Sequence, residues 1–149
     1  MVMVTPLQAA NIAAAFANGG IWYKPHLLDR VTDQLGRELM KHTPVQGGRL
    51  PGSPAHIEEI RRAMFKVVNS PDGSGRRARR KGLEICGKTG SAESGPRENR
   101  IVATWFIACV KYKNKTYASA LVYEEGRSGG SDCAPLTGAF FERFLLKKE

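Results

Sequence analysis

The stretch Leu83-Glu84-Ile85-Cys86-Gly87-Lys88-Thr89-Gly90-Ser91 decides how the 149-residue sequence is interpreted. It opens with a short apolar run and reaches a Lys-Thr-Gly tripeptide, which is the pattern of a strand carrying polar groups at its end. Segments 101–112 and 116–123 are also strand-like, and Asn114 lies in the short turn between them. The sequence therefore predicts an α/β fold in which residues 83–123 form an antiparallel sheet of about three strands.

Three amphipathic helices are predicted to flank this sheet. The first begins at Thr5-Pro6 and ends before Gly19-Gly20, and the second begins at Ser53-Pro54, because Ser or Thr followed by Pro is a strong helix-start signal. A glycine loop at 126–131 precedes the third helix, with Asp132 near its cap. The expected apolar face of this last helix is formed by Leu136, Phe140, Phe144 and Leu145.

The region between the first two helices gives weaker signals. Ile21 to Tyr23 reads as a strand, and Val31 to Met40 reads as a small hairpin around Asp33-Gln34-Leu35-Gly36. Thr43 to Gly52 is rich in Pro and Gly and is predicted to be a loop.

Length and composition indicate one domain with a strongly basic surface. The formal charge is +9, from 23 Lys and Arg against 14 Asp and Glu. Such a charge suits an anionic polymer, a membrane surface or a nucleic acid without choosing among them, so a nucleic-acid-binding module stays open as an alternative that rests on charge alone. The basic run Arg76 to Lys81 is most simply a solvated loop. No stretch approaches the roughly 20 apolar residues of a membrane span.

The cysteines and histidines do not predict a metal site. Cys86, Cys109 and Cys133 are widely spaced, and the three histidines lack metal-ligand spacing. Cys86 and Cys109 are interpreted as small buried side chains within strands. No cofactor is expected.

A nucleotide-binding alternative arises because Gly82 to Thr89 fits the phosphate-loop expression G-x-x-x-x-G-K-[ST]. In a true phosphate loop, the Lys-Thr pair opens a helix whose N-terminus holds the phosphates. Here Gly90 to Pro96 follows, which is a poor helix, and the four intervening residues are strand-like. A helix beginning at Lys88 would favour the phosphate loop over the strand.

The same residues suit the recognition of an extended peptide with a terminal carboxylate. An edge strand can hydrogen-bond to the backbone of such a peptide. Lys88 supplies a positive charge for the carboxylate, Thr89 adds a hydroxyl, and Gly90 allows close approach. The backbone N–H of Ser91 could stabilise the oxyanion of a tetrahedral intermediate.

Several further motifs are distributed over nearly the whole chain. They are Val4 to Gln8, Ala15 to Gly20, Lys24 to Leu27, Gly87 to Glu93, Thr104 to Ala108, Val122 to Glu125, and Ser128 to Gly130 before Ala134-Pro135. Together these motifs resemble the transpeptidase domain of penicillin-binding proteins. Ser-Ala-Glu after Lys-Thr-Gly is more similar to the class B enzymes than to class A, and the glycine loop is similar to the elongation-type class B proteins.

This resemblance implies a serine β-lactamase/transpeptidase-like fold and a D,D-transpeptidase that cross-links peptidoglycan stem peptides and is acylated by β-lactam antibiotics. It implies that Lys88 and Thr89 bind the terminal carboxylate of the donor peptide or antibiotic, that Gly90 belongs to the same substrate-binding strand, and that Ser91 gives the second oxyanion-hole N–H. Lys88, Thr89 and Ser91 would thus be the catalytic residues, and stem peptide and β-lactam rather than nucleic acid the partners.

The resemblance covers only the second half of that family's catalytic domain. Two motifs of the family, Ser-x-x-Lys with the acylated serine and its lysine, and the middle Ser-x-Asn, are absent from residues 1–149 and lie upstream of Met1 in the family order. We therefore expect residues 1–149 to be the C-terminal half of the domain and to be inactive alone. The parent is expected at the inner membrane through an N-terminal anchor, with a periplasmic or extracytoplasmic catalytic domain.

The missing half has a consequence for assembly. The strand at 116–123 would lose its neighbour and become an open edge, which invites pairing with another chain. We expect self-association, or a requirement for a complementary chain of the same domain.

Overall fold

The computed structural model of the protein describes residues 3–96 and 100–146. The order of elements alternates helical and extended segments before a continuous β-rich region and a last helix. The elements are α1 Pro6–Ala17, β1 Ile21–Tyr23, β2 Arg30–Thr32, β3 Glu38–Lys41, β4 Gln46–Arg49, α2 Pro54–Asn69, β5 Ile85–Ser94, β6 Ile101–Tyr112, β7 Lys115–Tyr123 and α3 Ala134–Leu145.

The main sheet contains β5, β6 and β7 in that order, and both pairings are antiparallel. Lys113 and Asn114, with φ of 47° and 61°, form the tight turn between β6 and β7. Positive φ at both turn residues matches the right-handed twist of the strands they join. The predicted three-stranded sheet is confirmed, and within the described residues β5 and β7 are its edges.

Helices cover both faces of this sheet. On one face, Ala13 and Ala17 of α1 and Met64 of α2 pack against Cys86 and Cys109. On the other face, α3 packs against the sheet in a cluster that includes Ile85, Phe106, Val110, Phe141 and Leu145. Phe106 is fully buried, and burying such a side chain contributes about 2–3 kcal/mol. The sheet is thus the middle layer of an α/β fold.

The predicted helix starts are confirmed. Thr5 caps α1 in a capping box, since its hydroxyl accepts from the backbone N–H of Gln8 and the Gln8 side chain accepts from the N–H of Thr5. Ser53 caps α2 by accepting from the N–H of His56 at 3.3 Å. Within the described residues, no helix combines the length and the apolar character needed to cross a membrane.

The smaller strands confirm one prediction and correct another. β2 and β3 form the predicted hairpin. The prediction of a loop over Thr43 to Gly52 is wrong, because β4 lies inside it and pairs antiparallel with β1. A Cβ at Gly47 would clash with the ring of Trp22, so the glycines that suggested a loop instead make room for an indole lying across the strand.

The predicted apolar face of α3 is confirmed for Leu145 but wrong for Leu136, Phe140 and Phe144. The residues of α3 that are buried are Ala134, Thr137, Gly138, Phe141 and Leu145. Leu136, Phe140 and Phe144, by contrast, are 55–56% exposed. The physical reason is Gly138, where a Cβ would clash with the backbone of Ala78, so the helix packs through its small residues.

The glycine loop before α3 is shorter than predicted. Gly129–Cys133 forms a π-helical turn that runs directly into α3. Ser128 caps this turn by accepting from the N–H of Ser131 at 3.1 Å. Asp132 lies in the turn, directly before Cys133, the N-cap of α3, so its predicted place near the cap is confirmed.

Candidate substrate-binding strand

The predicted site residues lie together on β5, which is an edge of the main sheet within the described residues. Lys88 and Ser91 are exposed, whereas Thr89 and Gly90 are half-buried. They face Ile107, Phe106, Trp105 and Thr104 of β6 in register, so β6 fixes one side of the strand. The outer side of β5 is where an extended ligand could add as a further strand.

Lys88 and Thr89 are neighbours in a strand, so their side chains leave it on opposite faces. The Lys88 side chain nevertheless folds back along the strand and donates from Nζ to the carbonyl oxygen of Thr89 at 2.8 Å. The Lys88 ammonium is therefore held at the backbone of Thr89.

Ser74 contacts a predicted site residue, and the sequence analysis missed it. Its Oγ lies 3.0 Å from Oγ1 of Thr89, within hydrogen-bond distance. Ser74 belongs to the Gly/Ser-rich segment between α2 and β5, where Gly75 packs close to the ring of Phe106. Nothing in the local sequence marks Ser74, because its contact depends on how the segment folds over the sheet.

The glycine loop packs against β5, β6 and the segment that contains Ser74. A Cβ at Gly129 would clash with the carbonyl oxygen of Trp105 and lie 2.9 Å from that of Gly90. A Cβ at Gly130 would clash with the carbonyl oxygen of Ser74. Gly129 is therefore required for the loop to lie against β5 and β6, and Gly130 for it to lie against the segment that contains Ser74.

Asp132 holds this loop in place. Its carboxylate accepts from the backbone N–H groups of Arg127 and Ser128 at 2.6 and 2.9 Å and from the hydroxyl of Ser131 at 2.8 Å. The hydrogen bond from the Ser128 N–H, with those from Ser131 and Arg127, lowers the pKa of Asp132 below its usual range.

The basic run before β5 is only partly a solvated loop. Arg76, Arg77 and Arg79 are exposed, as predicted. Arg80 instead pairs with Glu142 of α3 at 3.1 Å and donates to the carbonyl oxygen of Pro135 at 3.0 Å. The interpretation of Arg80 as a solvated residue is wrong, since it ties this segment to α3.

The phosphate-loop interpretation is wrong as well. Lys88 and Thr89 are interior residues of β5, which continues to Ser94, so no helix begins at Lys88. The positive helix N-terminus that would hold phosphates is not formed at this sequence. Among the residues the structure describes, no cluster of three His, Cys, Asp or Glu side chains could hold a metal ion.

Comparison with known proteins identifies the family to which this geometry belongs. The sequence model of the penicillin binding protein transpeptidase domain matches residues 2–142. Among relatives, a peptidoglycan D,D-transpeptidase PbpA of Mycolicibacterium smegmatis is 31% identical, and the match covers 91% of this chain and 28% of the relative. The MrdA transpeptidase of Acinetobacter baumannii is also 31% identical, with 97% of this chain and 23% of the relative covered. The chain thus spans about a quarter of the length of these curated relatives.

Solved structures agree with the sequence relatives. Penicillin-binding protein A from Mycobacterium tuberculosis superposes with a TM-score of 0.75 at 28% identity, covering 97% of this chain and 33% of that one. Its imipenem acyl-enzyme complex gives the same TM-score at 27% identity, covering 97% of this chain and 32% of that one. These matches confirm the resemblance to class B penicillin-binding proteins. The family model matches residues 2–142 of the 149 residues, and the Lys-Thr-Gly strand lies on a sheet edge. This chain therefore belongs to the penicillin-binding protein transpeptidase domain family.

Proposed function

We propose that this chain is the substrate-binding part of a peptidoglycan D,D-transpeptidase that cross-links cell-wall stem peptides by serine acyl transfer. The observation that carries the proposal is the placement of Lys88, Thr89, Gly90 and Ser91 on β5, which is an edge strand of the main sheet within the described residues. An extended stem peptide would lie along this strand with its terminal carboxylate at Lys88 and Thr89. A β-lactam would place its carboxylate at the same point.

Each residue would have its own role in this reaction. The Lys88 ammonium supplies charge and Thr89 a hydrogen bond, and charge-assisted hydrogen bonds of this type are worth roughly 1.5–3 kcal/mol. Gly90 would allow the substrate backbone to approach, because without a side chain it leaves the edge uncovered. The backbone N–H of Ser91 would stabilise the oxyanion, and removing one such donor typically costs about 10²–10³ in rate.

The nucleophile is proposed to come from a preceding part of the full-length protein. Residues 1–149 would then be the C-terminal half of the transpeptidase domain, since no serine here has a lysine three residues later. The chain spans only about a quarter of its relatives, which supports a larger protein. We place that protein at the inner membrane, with its catalytic domain in the periplasm or otherwise outside the cytoplasm, where stem peptides are cross-linked.

Penicillin labelling followed by mass spectrometry tests this proposal. The full-length protein should gain one penicilloyl group, and peptide mapping should place that group on a Ser-x-x-Lys serine outside residues 1–149. The 149-residue chain alone should gain none, because it lacks the covalent route. An adduct on Ser74, Ser91 or another serine of this chain, or an unlabelled full-length protein, would overturn the proposal.

Two unpaired surfaces support a proposal about assembly. β7 is a sheet edge within the described residues, and α3 exposes a stripe of Leu136, Phe140 and Phe144 that is more than half accessible. An open edge with an exposed apolar stripe favours association. We propose that the 149-residue chain self-associates unless the other half of its domain covers these surfaces.

Light scattering at micromolar concentration tests the assembly proposal. The measured molar mass should exceed the 16.4 kDa of the monomer, and the double variant Phe140→Ser, Phe144→Ser should lower that mass toward the monomer value. Leu35→Ser is a matched control, since Leu35 is 79% exposed but lies in the distant β2–β3 turn. A monomeric chain before any substitution would contradict the proposal.

A further inference from the structure

Cys86 and Cys109 occupy directly opposite positions on β5 and β6. Opposite residues of an antiparallel pair have Cα atoms about 4.5 or 5.5 Å apart, depending on whether the pair is hydrogen-bonded. Both separations fall within the roughly 4.4–6.8 Å that a disulfide spans. The two side chains also emerge on the same face of the sheet and belong to the same buried cluster. The backbone therefore places the sulfurs where they could be joined without moving a strand.

Arg61 of α2 adds a cation to this pair of thiols. Its Nε and Nη2 donate to the two carboxylate oxygens of Glu58 at 2.7 and 2.8 Å, which fixes the plane of the guanidinium. The remaining Nη1 then points to Sγ of Cys86 at 3.8 Å. Hydrogen bonding with Cys109 and the charge of Arg61 lower the pKa of Cys86 to about 7. The pKa of Cys109 is raised by Cys86 and by burial, so one thiol is the nucleophile and the other the resolving partner.

Access to the pair is narrow. A cleft of about 30 Å³ reaches both cysteines, and its charged lining residues are Arg61, Glu84 and Lys111. A cavity needs about 10–15 Å³ to hold one water molecule, so the cleft has room for roughly two oxygen atoms. Hydrogen peroxide fits such a space, whereas a disulfide such as oxidised glutathione does not.

We propose that Cys86 and Cys109 form a peroxide-oxidisable dithiol that closes to a cross-strand disulfide. The Cys86 thiolate attacks one peroxide oxygen, the O–O bond breaks, and the departing hydroxide takes a proton to become water. The sulfenic acid formed at Cys86 is then attacked by the sulfur of Cys109, which loses its proton, and a second water leaves. The two thiols together lose two electrons, and these electrons reduce one peroxide to two waters. The new bond joins β5 to β6 two residues before Lys88.

Cys133 is an internal control for this chemistry. It is fully buried at the start of α3, where its thiol donates to the carbonyl oxygen of Thr104 at 3.3 Å. Burial raises the pKa of Cys133, so its thiol is a poor nucleophile. It does not line the cleft that reaches the other two cysteines.

Thiol counting by intact mass tests the proposal. After treatment with hydrogen peroxide, unfolding and alkylation, the protein should carry one alkyl group instead of three, with Cys133 alkylated and a peptide linking Cys86 to Cys109. In Cys109→Ala the disulfide should not form, and dimedone should trap the sulfenic acid on Cys86. Three alkylated cysteines after peroxide, or oxidation of Cys133 as fast as Cys86, would overturn the proposal.

The role of Arg61 is tested by the rate of oxidation. Arg61→Gln should slow disulfide formation severalfold at pH 7, because losing the Arg61 charge raises the pKa of Cys86 and lowers its thiolate fraction, while the hydrogen bond with Cys109 remains. Arg62→Gln is the matched control: Arg62 pairs with the same Glu58 carboxylate but is 73% exposed. The rate in the unsubstituted protein should rise with pH through about 7. Equal rates in the two variants would contradict the role of Arg61, and glutathione added to Cys86 of the folded protein would contradict the size limit of the cleft.

Discussion

Ser74 and Thr89, fifteen residues apart in the sequence, bring their hydroxyl oxygens to within 3.0 Å of each other. The contact joins the segment after α2 to the binding strand. When Ser74 donates this hydrogen bond, the hydroxyl hydrogen of Thr89 stays available, so under the proposed function Ser74 orients the group that Thr89 would present to a carboxylate. Ser74 is thus a positioning residue, since the proposed ligand lies at Lys88 and Thr89.

We expect Ser74 to act on acylation only through Thr89. In the full-length protein, Ser74→Ala should lower the rate of acylation by penicillin about threefold to tenfold, as expected for a hydrogen bond worth about 1 kcal/mol. Thr89→Val should lower it at least as much. Adding Ser74→Ala to Thr89→Val should then have little further effect, because the two residues share one interaction. Ser70→Ala, at the C-cap of α2, is the control. Additive losses in the double variant would show that Ser74 acts independently of Thr89.

The glycines of the site should separate into structural and functional ones. Gly129→Ala should destabilise the fold by about 1–3 kcal/mol, because its Cβ would overlap the backbone of Trp105. Gly90→Ala should change stability by less than about 0.5 kcal/mol, since its Cβ would be at an ordinary 3.4 Å from Cβ of Trp105. Thermal denaturation measures both. In the full-length protein, Gly90→Ala should still slow acylation, and an unchanged rate would remove Gly90 from the substrate path.

The loop before α3 should open in acid because of Asp132. Its pKa is 3.8 in the unfolded reference and lower in the native protein, so its contribution to stability is complete above pH 3.8 and is lost as pH falls through the native pKa. Urea unfolding between pH 5 and pH 2 should show this loss, and Asp132→Asn should show a smaller one. Asp72→Asn, in the turn after α2, is the control substitution. An identical acid profile for Asp132→Asn and the unsubstituted protein would contradict the role of the carboxylate.

The sheet and the helix starts were predictable because local signals and tertiary packing agree there. Thr5-Pro6 and Ser53-Pro54 cap their helices through contacts within one turn, and the β6–β7 turn contains Asn114, a residue type that tolerates positive φ. The Lys-Thr-Gly strand carries its own sequence pattern, which is why Lys88 and Thr89 could be named without a structure.

The errors arose where long-range packing outweighs local pattern. In α3 the hydrophobic periodicity predicted that Leu136, Phe140 and Phe144 are buried. Gly138 instead lets the helix lie close against Ala78, so the buried face is the one that contains Gly138. At β4 the glycines indicate a loop until the ring of Trp22 is placed over them. Ser74 could not be found because no local pattern specifies a partner fifteen residues away.

Substitution of Lys88 in the full-length protein tests the central claim most directly. The measurement is the second-order rate of acylation by a fluorescent penicillin, compared for Lys88→Ala and Lys115→Ala. Lys115 is the matched control because it is an exposed lysine on the opposite edge strand of the same sheet, next to the β6–β7 turn and in register with Tyr112. We predict that Lys88→Ala lowers the rate roughly 10- to 100-fold, the equivalent of about 1.5–3 kcal/mol, with an unchanged melting temperature, and that Lys115→Ala leaves the rate as it was. Equal rates for the two variants would contradict the assignment of this strand as the carboxylate-binding site.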